Sequence, residues 1–598
     1  MNSTSWQRTP LLAYTTAVLV ATLTYPLQAA TETNCRAAAP PNVILVLTDD
    51  QGYGDLSCHG NPVLKTPNLD RLYAESIRLT EFHVVPMCTP TRGELISGVD
   101  CLRNGAMNVS SGRTLLRREL PTIADLFVES GYVTGQFGKW HLGDNYPYRP
   151  QDRGFRESIW FPSSHIPSAA DYWNNDYFDD VYQHNGRREQ FQGYCTDVFF
   201  DEAIRWMRRC AEGKEAFFCY IPLNAAHSPL FVPDKYREPY REQPRNVASF
   251  FGMIANIDEN MGKLDEFLRD CGLRDNTILL FLTDNGGTAG VKVFNAGMRG
   301  RKIDLYDGGH RVPCFLRWPA GDLRPAGNLG ELTQCQDILP TLVDLCGLKM
   351  PVGAKVDGTS LASVLRGQAD RLPDRMLVVQ FSRMNHPEPE KGDACVMWGR
   401  WRLVQDKELY DVQADPGQKR NVLADHPEVA AKMRAYYARW WAGVAPRMNE
   451  FSPIHIGSDR ENPTMLSPCD WQNVFLDQGA QIRRGDRKNG VWNVMVERDG
   501  EYEFSLRRWP QEAAVPIVSG VPEYRAVDGE YPPGVALPVA EARLHVADFD
   551  QRKPVQSDDQ AVVYTVSLKA GCTQLQTWFY DAQGNEICGA YYVYVQRK

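Results

Sequence analysis

The sequence predicts an α/β fold with a mixed, mainly parallel sheet flanked by helices, followed by a small α+β subdomain and a β-sandwich-like domain. Three observations predict it. Between residues 41 and 374, short apolar runs alternate with helical patterns, which is typical of a sheet covered by helices on both faces. Residues 375–445 combine a strand-like segment, Cys395–Gln405, with a helix near Pro427–Ala442. Residues 450–598 alternate apolar and polar side chains with the period of half-buried strands.

Three almost fully apolar runs predict the central strands: Asn42–Thr48, Ala216–Pro222 and Thr277–Thr283. Continuous apolar runs of this length suit strands that are buried on both faces. The intervening segments Asp197–Cys210 and Phe250–Cys271 carry apolar residues at helical spacing. Ligands of such sheets bind beyond the carboxyl ends of the strands, so functional side chains are expected there.

The region after residue 450 is predicted to be an accessory β domain. Trp492–Val496 and Tyr502–Leu506 alternate apolar and polar residues, and Arg498–Glu501 between them is predicted to be a hairpin turn. Val562–Leu568 and Tyr591–Val595 continue the pattern, which favours a β-sandwich. We expect this region to pack mainly on the preceding α/β body.

The first residues are similar to an export signal. Arg8 gives a positive start, Leu11–Tyr25 is mostly apolar, and Ala29 and Ala30 offer a cleavage point. We predict a signal peptide over residues 1–30 and an exported protein, periplasmic or secreted. No later segment is apolar enough for stable membrane insertion. The net charge of -9 gives the whole molecule no attraction for nucleic acid.

Two of the predicted central strands end in the same kind of residues. Asp49 and Asp50 follow the first strand, and Asp284 and Asn285 follow Thr277–Thr283. Because the carboxyl ends of parallel strands share one edge of the sheet, these oxygen-bearing side chains are expected to converge. Four hard oxygen ligands suit Ca²⁺ or Mg²⁺. The alternative is that both segments are simple turns.

A cysteine followed closely by an arginine is the third candidate. In Cys88–Gly93 the thiol of Cys88 precedes Arg92 by four residues. A thiol near a guanidinium is a plausible nucleophile at an anion site. The residues alone slightly favour the other interpretation, a buried cysteine at the start of a helix that carries a proline in its first turn.

The segment Cys88-x-Pro90-x-Arg92 resembles the signature of type I, formylglycine-dependent sulfatases of the alkaline-phosphatase-like superfamily. Further segments resemble that family in order between residues 41 and 445: Asp49–Gly52, Gly138–Gly143, Ala226–Pro229, Asp284–Gly286, Arg299–Lys302, Asp307–Pro313 and Glu408–Asn421. His310 departs from the family's usual apolar residue, which makes it a candidate to face the substrate.

The resemblance implies a catalytic group and a metal. A sulfatase-maturation enzyme would oxidise Cys88 to formylglycine, whose hydrate is the nucleophile. Asp49, Asp50, Asp284, Asn285 and the modified Cys88 would hold the metal, expected to be Ca²⁺, with Mg²⁺ possible.

The resemblance also implies roles for five further side chains. Arg92 would hold the hydrate in place, and Lys139 and Lys302 would bind sulfate oxygens. His227 would contact the leaving oxygen and donate its proton together with Lys302. His141 would act as a base on the second hydroxyl, which expels sulfate and restores the aldehyde.

The substrate is expected to be a sulfated carbohydrate or polysaccharide. Residues 156–194 are rich in aromatic and amide side chains, which suit sugar rings and hydroxyls or, equally, the packing of a long loop. The candidates for substrate contact are His165, Trp173, Asn174 and Arg113, besides His310.

Three alternatives stay open at this point: an aryl sulfatase, a phosphate or phosphonate monoester hydrolase, and a catalytically inactive glycan-binding protein. No histidine directly follows Asp284–Gly287, which argues for one hard metal rather than two zinc ions. The intact set of candidate residues argues against an inactive protein.

Overall fold

A ten-stranded mixed sheet lies at the centre of the α/β body. The computed structural model describes residues 39–598, and the predicted signal peptide, 1–30, lies outside the described residues. The strands are β1 (Asn42–Thr48), β2 (Ile77–His83), β3 (Val133–Lys139), β4 (Glu157–Phe161), β5 (Val181–His184), β6 (Arg187–Gln190), β7 (Phe217–Pro222), β8 (Thr277–Thr283), β9 (Cys314–Arg317) and β10 (Gly327–Gln334).

The strand order is β10-β2-β9-β8-β1-β7-β3-β4-β5-β6. The central run from β8 through β1, β7 and β3 to β4 is parallel. Antiparallel pairing is confined to β9 and to the β4-β5-β6 edge. The predicted mixed, mainly parallel sheet is therefore confirmed.

Helices cover both faces of this sheet. They are α1 (Pro67–Glu75), α2 (Cys88–Ser97), α3 (Cys101–Asn104), α4 (Ile123–Glu129), α5 (Cys195–Glu212), α6 (Asp234–Arg237), α7 (Arg245–Asp270), α8 (Asp307–His310), α9 (Ile338–Cys346) and α10 (Ala362–Leu365). Alternate residues of β1 enter opposite cores. Ile44 packs in the core that holds Ile257 of α7, and Leu45 in the core that holds Leu342 of α9. A fully buried β1 explains its unbroken apolar sequence.

The small subdomain is a four-stranded antiparallel sheet with one helix. Its elements are β11 (Met376–Val379), β12 (Cys395–Trp398), β13 (Trp401–Val404), β14 (Glu408–Asp411) and α11 (Pro427–Val444). The single strand expected over Cys395–Gln405 is a hairpin instead. Gly399 adopts a φ of 51°, and this left-handed backbone reverses the chain between β12 and β13.

The C-terminal region forms two antiparallel-rich sheets around one core. Its elements are β15 (Ile454–Ile456), β16 (Thr464–Leu466), α12 (Gly479–Arg484), β17 (Val491–Val496), β18 (Gly500–Arg507), β19 (Tyr524–Ala526), β20 (Gly529–Tyr531), β21 (Glu541–Val546), β22 (Phe549–Pro554), β23 (Val562–Leu568), β24 (Gly571–Tyr580), β25 (Glu586–Cys588) and β26 (Tyr592–Arg597). One sheet has the order β15-β17-β24-β21-β22, and the other β16-β26-β18-β23.

The expected hairpin between β17 and β18 is wrong. β17 pairs with β24 and β15, whereas β18 pairs with β23 and β26. Residues 497–499 therefore connect the two sheets of the sandwich instead of closing a two-stranded turn. Both strands bury alternate residues in the same core, for example Trp492 and Phe504, so the period-two pattern is the same in either arrangement.

The C-terminal region contacts the α/β body directly. Tyr592 Oη donates to the carbonyl of Ala169 at 2.7 Å, and Tyr148 Oη donates to that of Pro453 at 2.8 Å. The core of the sandwich also includes Leu115 of the α/β body. Among residues 39–598, no helix is both long and apolar enough to cross a membrane.

Candidate active site

Four oxygen-bearing side chains meet where β1 and β8 end. The two strands are parallel neighbours in register, so Asp49–Asp50 and Asp284–Asn285 leave the same edge of the sheet. Asn285 Nδ2 donates to Asp50 Oδ1 at 2.9 Å, and the backbone N–H of Asp50 contacts Asp284 Oδ1 at 3.3 Å. All four side chains are buried. The strand-end rule brings these residues together as the sequence predicts.

This cluster fits a divalent cation. Within residues 39–598, no group donates to Asp49 Oδ1 or Asn285 Oδ1, although both atoms are buried. A buried acceptor without a donor costs about 1–3 kcal/mol, and a cation removes that cost. Ligand atoms of Asp49, Asp50 and His227 lie within 4.8 Å of one another. Carboxylate and amide oxygens are donors that hard cations prefer.

Two buried cations, Lys139 and Arg92, pair with Asp49 and Asp284. Lys139, the last residue of β3, places Nζ 2.5 Å from Asp49 Oδ2. Arg92 of α2 places Nη2 2.8 Å from Asp284 Oδ2 and 3.4 Å from Asp49 Oδ2. Burial raises the pKa of Asp49, but Lys139 and its other cationic neighbours overcome burial and bring that pKa well below its usual value. Burial and the charge of Asp49 raise the pKa of Asp284 to about 6.

Lys302 contacts the cluster through Asp50. Its Nζ lies 2.6 Å from Asp50 Oδ1, and its side chain keeps 14% of its surface exposed. Burial lowers the pKa of Lys302, but Asp50 more than compensates and holds it above its usual value. Lys302 is therefore an ammonium that is still accessible, whereas Lys139 is completely buried.

Cys88 opens helix α2 and faces a cavity beside this cluster. Every residue of α2 is buried, which fixes the position of its first residue. The cavity has a volume of ≈ 310 Å³, and its lining includes Cys88, Asp50, His165, His227 and Lys302. Burial raises the pKa of the Cys88 thiol, although the two lysines oppose it. The unmodified side chain is therefore a neutral thiol, a weak nucleophile.

His141 lies next to the start of α2. Its Nε2 is 2.9 Å from both Thr89 Oγ1 and the carbonyl oxygen of Val109. Burial and Lys139 bring the pKa of His141 well below its usual value, so the ring is neutral. Its Nδ1 is buried without a partner among residues 39–598.

His227 and His165 form one wall of the cavity, with ring centroids 5.0 Å apart. His227 Nδ1 is 2.7 Å from the carbonyl oxygen of Ser228, and Nε2 is 4.0 Å from Asp50 Oδ2. Burial and the charge of Lys302 lower the pKa of His227 to about 3. A neutral ring that donates from Nδ1 to a carbonyl presents Nε2 as an acceptor towards the cavity.

Sequence reasoning missed a chain of polar contacts from the C-terminal region. Asp477 Oδ2 accepts from Ser164 Oγ at 2.8 Å, and Ser164 Oγ lies 2.7 Å from His165 Nδ1. Asp477 and its neighbour Gln478 also line the cavity. More than three hundred residues separate Ser164 from Asp477, and no local sequence signal links them.

A second cavity of ≈ 430 Å³ adjoins the first and shares His165, His227, Ser228 and Gln478 with it. Trp173 and Asn174, two of the substrate candidates, line this second cavity. The structure thus brings His165, Trp173 and Asn174 together near the cluster.

The other two substrate candidates lie elsewhere, which corrects those expectations. His310 is fully buried, and its Nδ1 lies 2.9 Å from His83 Nδ1. Arg113 is buried and donates to Asn473 Oδ1 and to the carbonyl of Met448. Neither lines the two cavities, because each is held by the packing between elements of the fold.

Comparison with known proteins decides the family. Residues 41–348 match the model of the family described as sulfatase. The chain belongs to the sulfatase family. Residues 301–438 of this sulfatase also match the model of the N-sulphoglucosamine sulphohydrolase C-terminal region. The predicted family and the alkaline-phosphatase-like fold are confirmed, and the protein is a sulfuric ester hydrolase.

Two relatives illustrate the similarity. The sulfatase is 30% identical to arylsulfatase A of Homo sapiens over 418 residues, which cover 63% of this chain and 78% of the relative. It is 29% identical to N-acetylgalactosamine-6-sulfatase of Canis lupus familiaris over 366 residues, which cover 57% of this chain and 68% of the relative.

Solved structures agree. The structure of Ps i-CgsB in complex with k-i-k-neocarrahexaose is 26% identical, with a TM-score of 0.61, and the match covers 67% of this chain and 92% of that one. The structure of BT4656 in complex with D-glucosamine-2-N,6-O-disulfate is 18% identical, with a TM-score of 0.57, and the match covers 69% of this chain and 99% of that one. At that identity the second match supports the fold alone.

Proposed function

We propose that this sulfatase removes sulfate from a sulfated carbohydrate, using formylglycine made from Cys88 and one divalent metal. The observation that carries the proposal is the cavity in which Cys88, Lys302 and His227 meet beside Asp50. A maturation enzyme would supply the formylglycine, whose hydrate provides a hydroxyl nucleophile. We further propose that the protein acts outside the cytoplasm, periplasmic or secreted.

Asp49, Asp50, Asp284, Asn285 and the modified Cys88 are the proposed metal ligands. Their oxygen donors favour Ca²⁺, with Mg²⁺ as the alternative. The metal, when bound, would withdraw charge from the sulfate oxygens and favour the ionised nucleophile. We assign Arg92 to positioning, because its described contacts go to Asp49, Asp284 and the carbonyl of Lys139. Contact between Arg92 and the hydrate stays a prediction.

Lys302 is proposed to meet the substrate directly. A sulfate ester is an anion, and cleavage sends charge to the sulfate oxygens and to the departing alcohol oxygen. The accessible ammonium of Lys302 offsets that charge and supplies the proton for the alcohol. Lys139 is buried against Asp49, so its contact with a sulfate oxygen stays a prediction. Once Lys302 has protonated the departing alcohol, His227 Nε2 is proposed to accept a hydrogen bond from its hydroxyl and so to orient it.

His141 is proposed to accept a proton when sulfate is expelled. Its neutral ring contacts Thr89, the residue next to Cys88, so it is close to the modified side chain. A neutral imidazole is the protonation state that a general base needs.

The carbohydrate substrate rests on the relatives and on the second cavity. The N-acetylgalactosamine-6-sulfatases and Ps i-CgsB, by their names and bound sugar, act on or bind carbohydrates. The wall of the second cavity includes Trp173 and Phe231, and aromatic rings suit sugar faces. An aryl sulfate is the second candidate substrate, because the chain is also similar to arylsulfatase A.

The test combines mass spectrometry with matched substrates. The peptide that contains residue 88 is expected to show formylglycine in active preparations. Wild-type protein is expected to hydrolyse sulfated saccharides, and Cys88→Ala to lose at least about a thousandfold in kcat, as nucleophile removal does. Faster turnover of a matched phosphate ester, or full activity with unmodified Cys88, would overturn the proposal.

A further inference from the structure

The second cavity is built jointly by the α/β body and the C-terminal region. Trp173, Asn174 and Phe231 come from the former, and Arg483 and Tyr531 from the latter. The isolated bridge between Ser168 and Gln478 connects the two regions there. Because the second cavity shares His165 and His227 with the first cavity, which Cys88 lines, a ligand whose sulfate is held in the first can extend into the second.

Arg483 is the unusual feature of this cavity. The residue is 4% exposed, and it makes no ion pair within the described part of the chain. Its partners are neutral: it donates to Asn174 Oδ1 at 2.7 Å and to the carbonyl of Pro532 at 2.9 Å, with a longer contact to that of Pro522 at 3.3 Å. These contacts use three of the five guanidinium N–H donors.

A buried cation without a counter-charge is expensive to keep. Burial lowers the pKa of Arg483 without removing its charge. The guanidinium also stacks at 4.7 Å on the Trp173 ring, which holds it in place beside an apolar wall. Its remaining donors suit an anion, since guanidinium groups bind carboxylate and sulfate oxygens with paired hydrogen bonds.

We propose that this cavity binds the saccharide next to the sulfated unit and that Arg483 pairs with an acidic group on that neighbouring sugar. The inference rests on the proposed carbohydrate sulfatase function. The sugar ring lies in the cavity beside the Trp173 and Tyr531 rings, which flank the Arg483 guanidinium at 4.7 and 5.7 Å, and its carboxylate or second sulfate meets Arg483. The C-terminal region is therefore a specificity element of the active site.

Helix α12 presents Arg483 to the cavity and directs its neighbour outward. Arg484 is 57% exposed in its side chain, contacts Asp486 and does not line the cavity. Arg484→Ala removes the same charge from the adjacent position, and it is the matched control for Arg483→Ala. Glu530, an exposed residue on the cavity wall, gives a test of opposite sign.

The experiment uses three disaccharides that share one sulfated unit. Their second sugar carries a carboxylate, the alcohol made by reducing that carboxylate, or a sulfate. Wild type is expected to favour at least one acidic substrate over the alcohol by roughly tenfold in kcat/KM, the worth of one hydrogen bond to a charged group. Arg483→Ala is expected to remove the preference, Arg484→Ala to keep it, and Glu530→Gln to increase it. The preferred acid identifies the group that is bound.

Thermal unfolding of each variant separates binding from folding. If Arg483→Ala does not fold, Glu530→Gln still tests the charge dependence. Arg483→Lys, which keeps the charge but loses the paired donors, is then expected to weaken the acidic preference. No acidic preference in wild type, or an equal loss on all three substrates in folded Arg483→Ala, overturns this inference and leaves the sulfatase function intact. No hydrolysis of any saccharide by formylglycine-bearing wild type overturns the proposed function and this inference with it.

Discussion

At the scale of single residues, the two lysines of the site differ in exposure. Lys139 is completely buried and lies against Asp49, so its charge supports the carboxylate cluster. Lys302 is partly exposed, lies against Asp50 and lines the cavity of Cys88. The sequence presents both as candidate sulfate ligands. Their burial divides them into a group that stabilises the site and a group that meets the substrate.

Replacing each lysine by methionine is expected to separate these contributions. Lys302→Met should lower kcat by about a hundredfold to a thousandfold, as the loss of one transition-state donor does. It should cost less stability than Lys139→Met, because Lys302 keeps 14% of its side chain exposed. Lys139→Met should destabilise the metal-free protein by about 3 kcal/mol, because it removes the nearest counter-charge of buried Asp49 and leaves only the longer contact to Arg92. Steady-state kinetics and unfolding in the presence of a chelator measure both effects. Equal destabilisation by the two variants contradicts this division.

At the scale of secondary structure, one buried arginine links the three elements β13, α8 and β2. Arg402 of β13 donates to Asp307 of α8 at 3.0 Å and to Glu81 of β2 at 2.8 Å. Burial raises the pKa of Asp307, but Arg402 overcomes it and keeps that pKa below its usual value. The small subdomain is thereby tied to the segment that carries His310, and this network accounts for the burial of that histidine away from the substrate.

Arg402→Met is expected to lower the free energy of unfolding by about 3 kcal/mol, because it leaves Asp307 buried without its counter-charge. Arg400→Ala is the control: Arg400 lies on the same hairpin, its side chain is 44% exposed, and it pairs with Asp411. We expect a change within about 1 kcal/mol, because the arginine of this pair is largely exposed to solvent. Urea unfolding compares the two variants. A similar loss in both would show that Arg402 contributes no more than a surface ion pair.

At the scale of the whole molecule, the C-terminal region and the α/β body share a hydrophobic core, and each also contributes a buried carboxyl group near their contact. Asp144 of the body accepts from the backbone N–H of Ser163 at 2.8 Å. Asp470 of the C-terminal region contacts Thr114 Oγ1 at 3.4 Å. Burial, together with the charge of Asp470, raises the pKa of Asp144 to about 7, and burial raises that of Asp470 to about 7.

This pair makes stability depend on pH. Both carboxyls have a folded-state pKa above the unfolded value of 3.8, so their contribution is complete below that value and is lost as pH rises through about 7. Asp470→Asn is expected to be more stable than wild type at pH 8, by on the order of 2 kcal/mol, and to lose less stability between pH 5 and pH 8. Urea unfolding at the two pH values measures this. The control Asp558→Asn, at an exposed position, should show the pH dependence of wild type. If Asp470→Asn loses as much stability as wild type between pH 5 and pH 8, the pair is not the source of the pH dependence.

The sequence by itself determined the catalytic body. Apolar runs such as Asn42–Thr48 fix β1 because a strand buried on both faces must be apolar throughout. The residues after β1 and β8 then converge, since parallel neighbours end at one edge. The motif around Cys88 adds the chemistry through its resemblance to the family. These features are local in the chain, and that is why they can be read from it.

Only the tertiary structure decided what depends on distant segments. Trp492–Val496 and Tyr502–Leu506 have the same alternation whether they form a hairpin or belong to facing sheets, so pairing is not encoded in the pattern. The positions of His310 and Asp477 also depend on distant segments: the first was expected at the substrate and is not there, and the second was not expected and lines the cavity. Burial against His83 removes the first from the substrate, and the fold carries the second across more than three hundred residues to Ser164. Long-range packing sets which side chains share a cavity, and short-range sequence patterns carry no record of it.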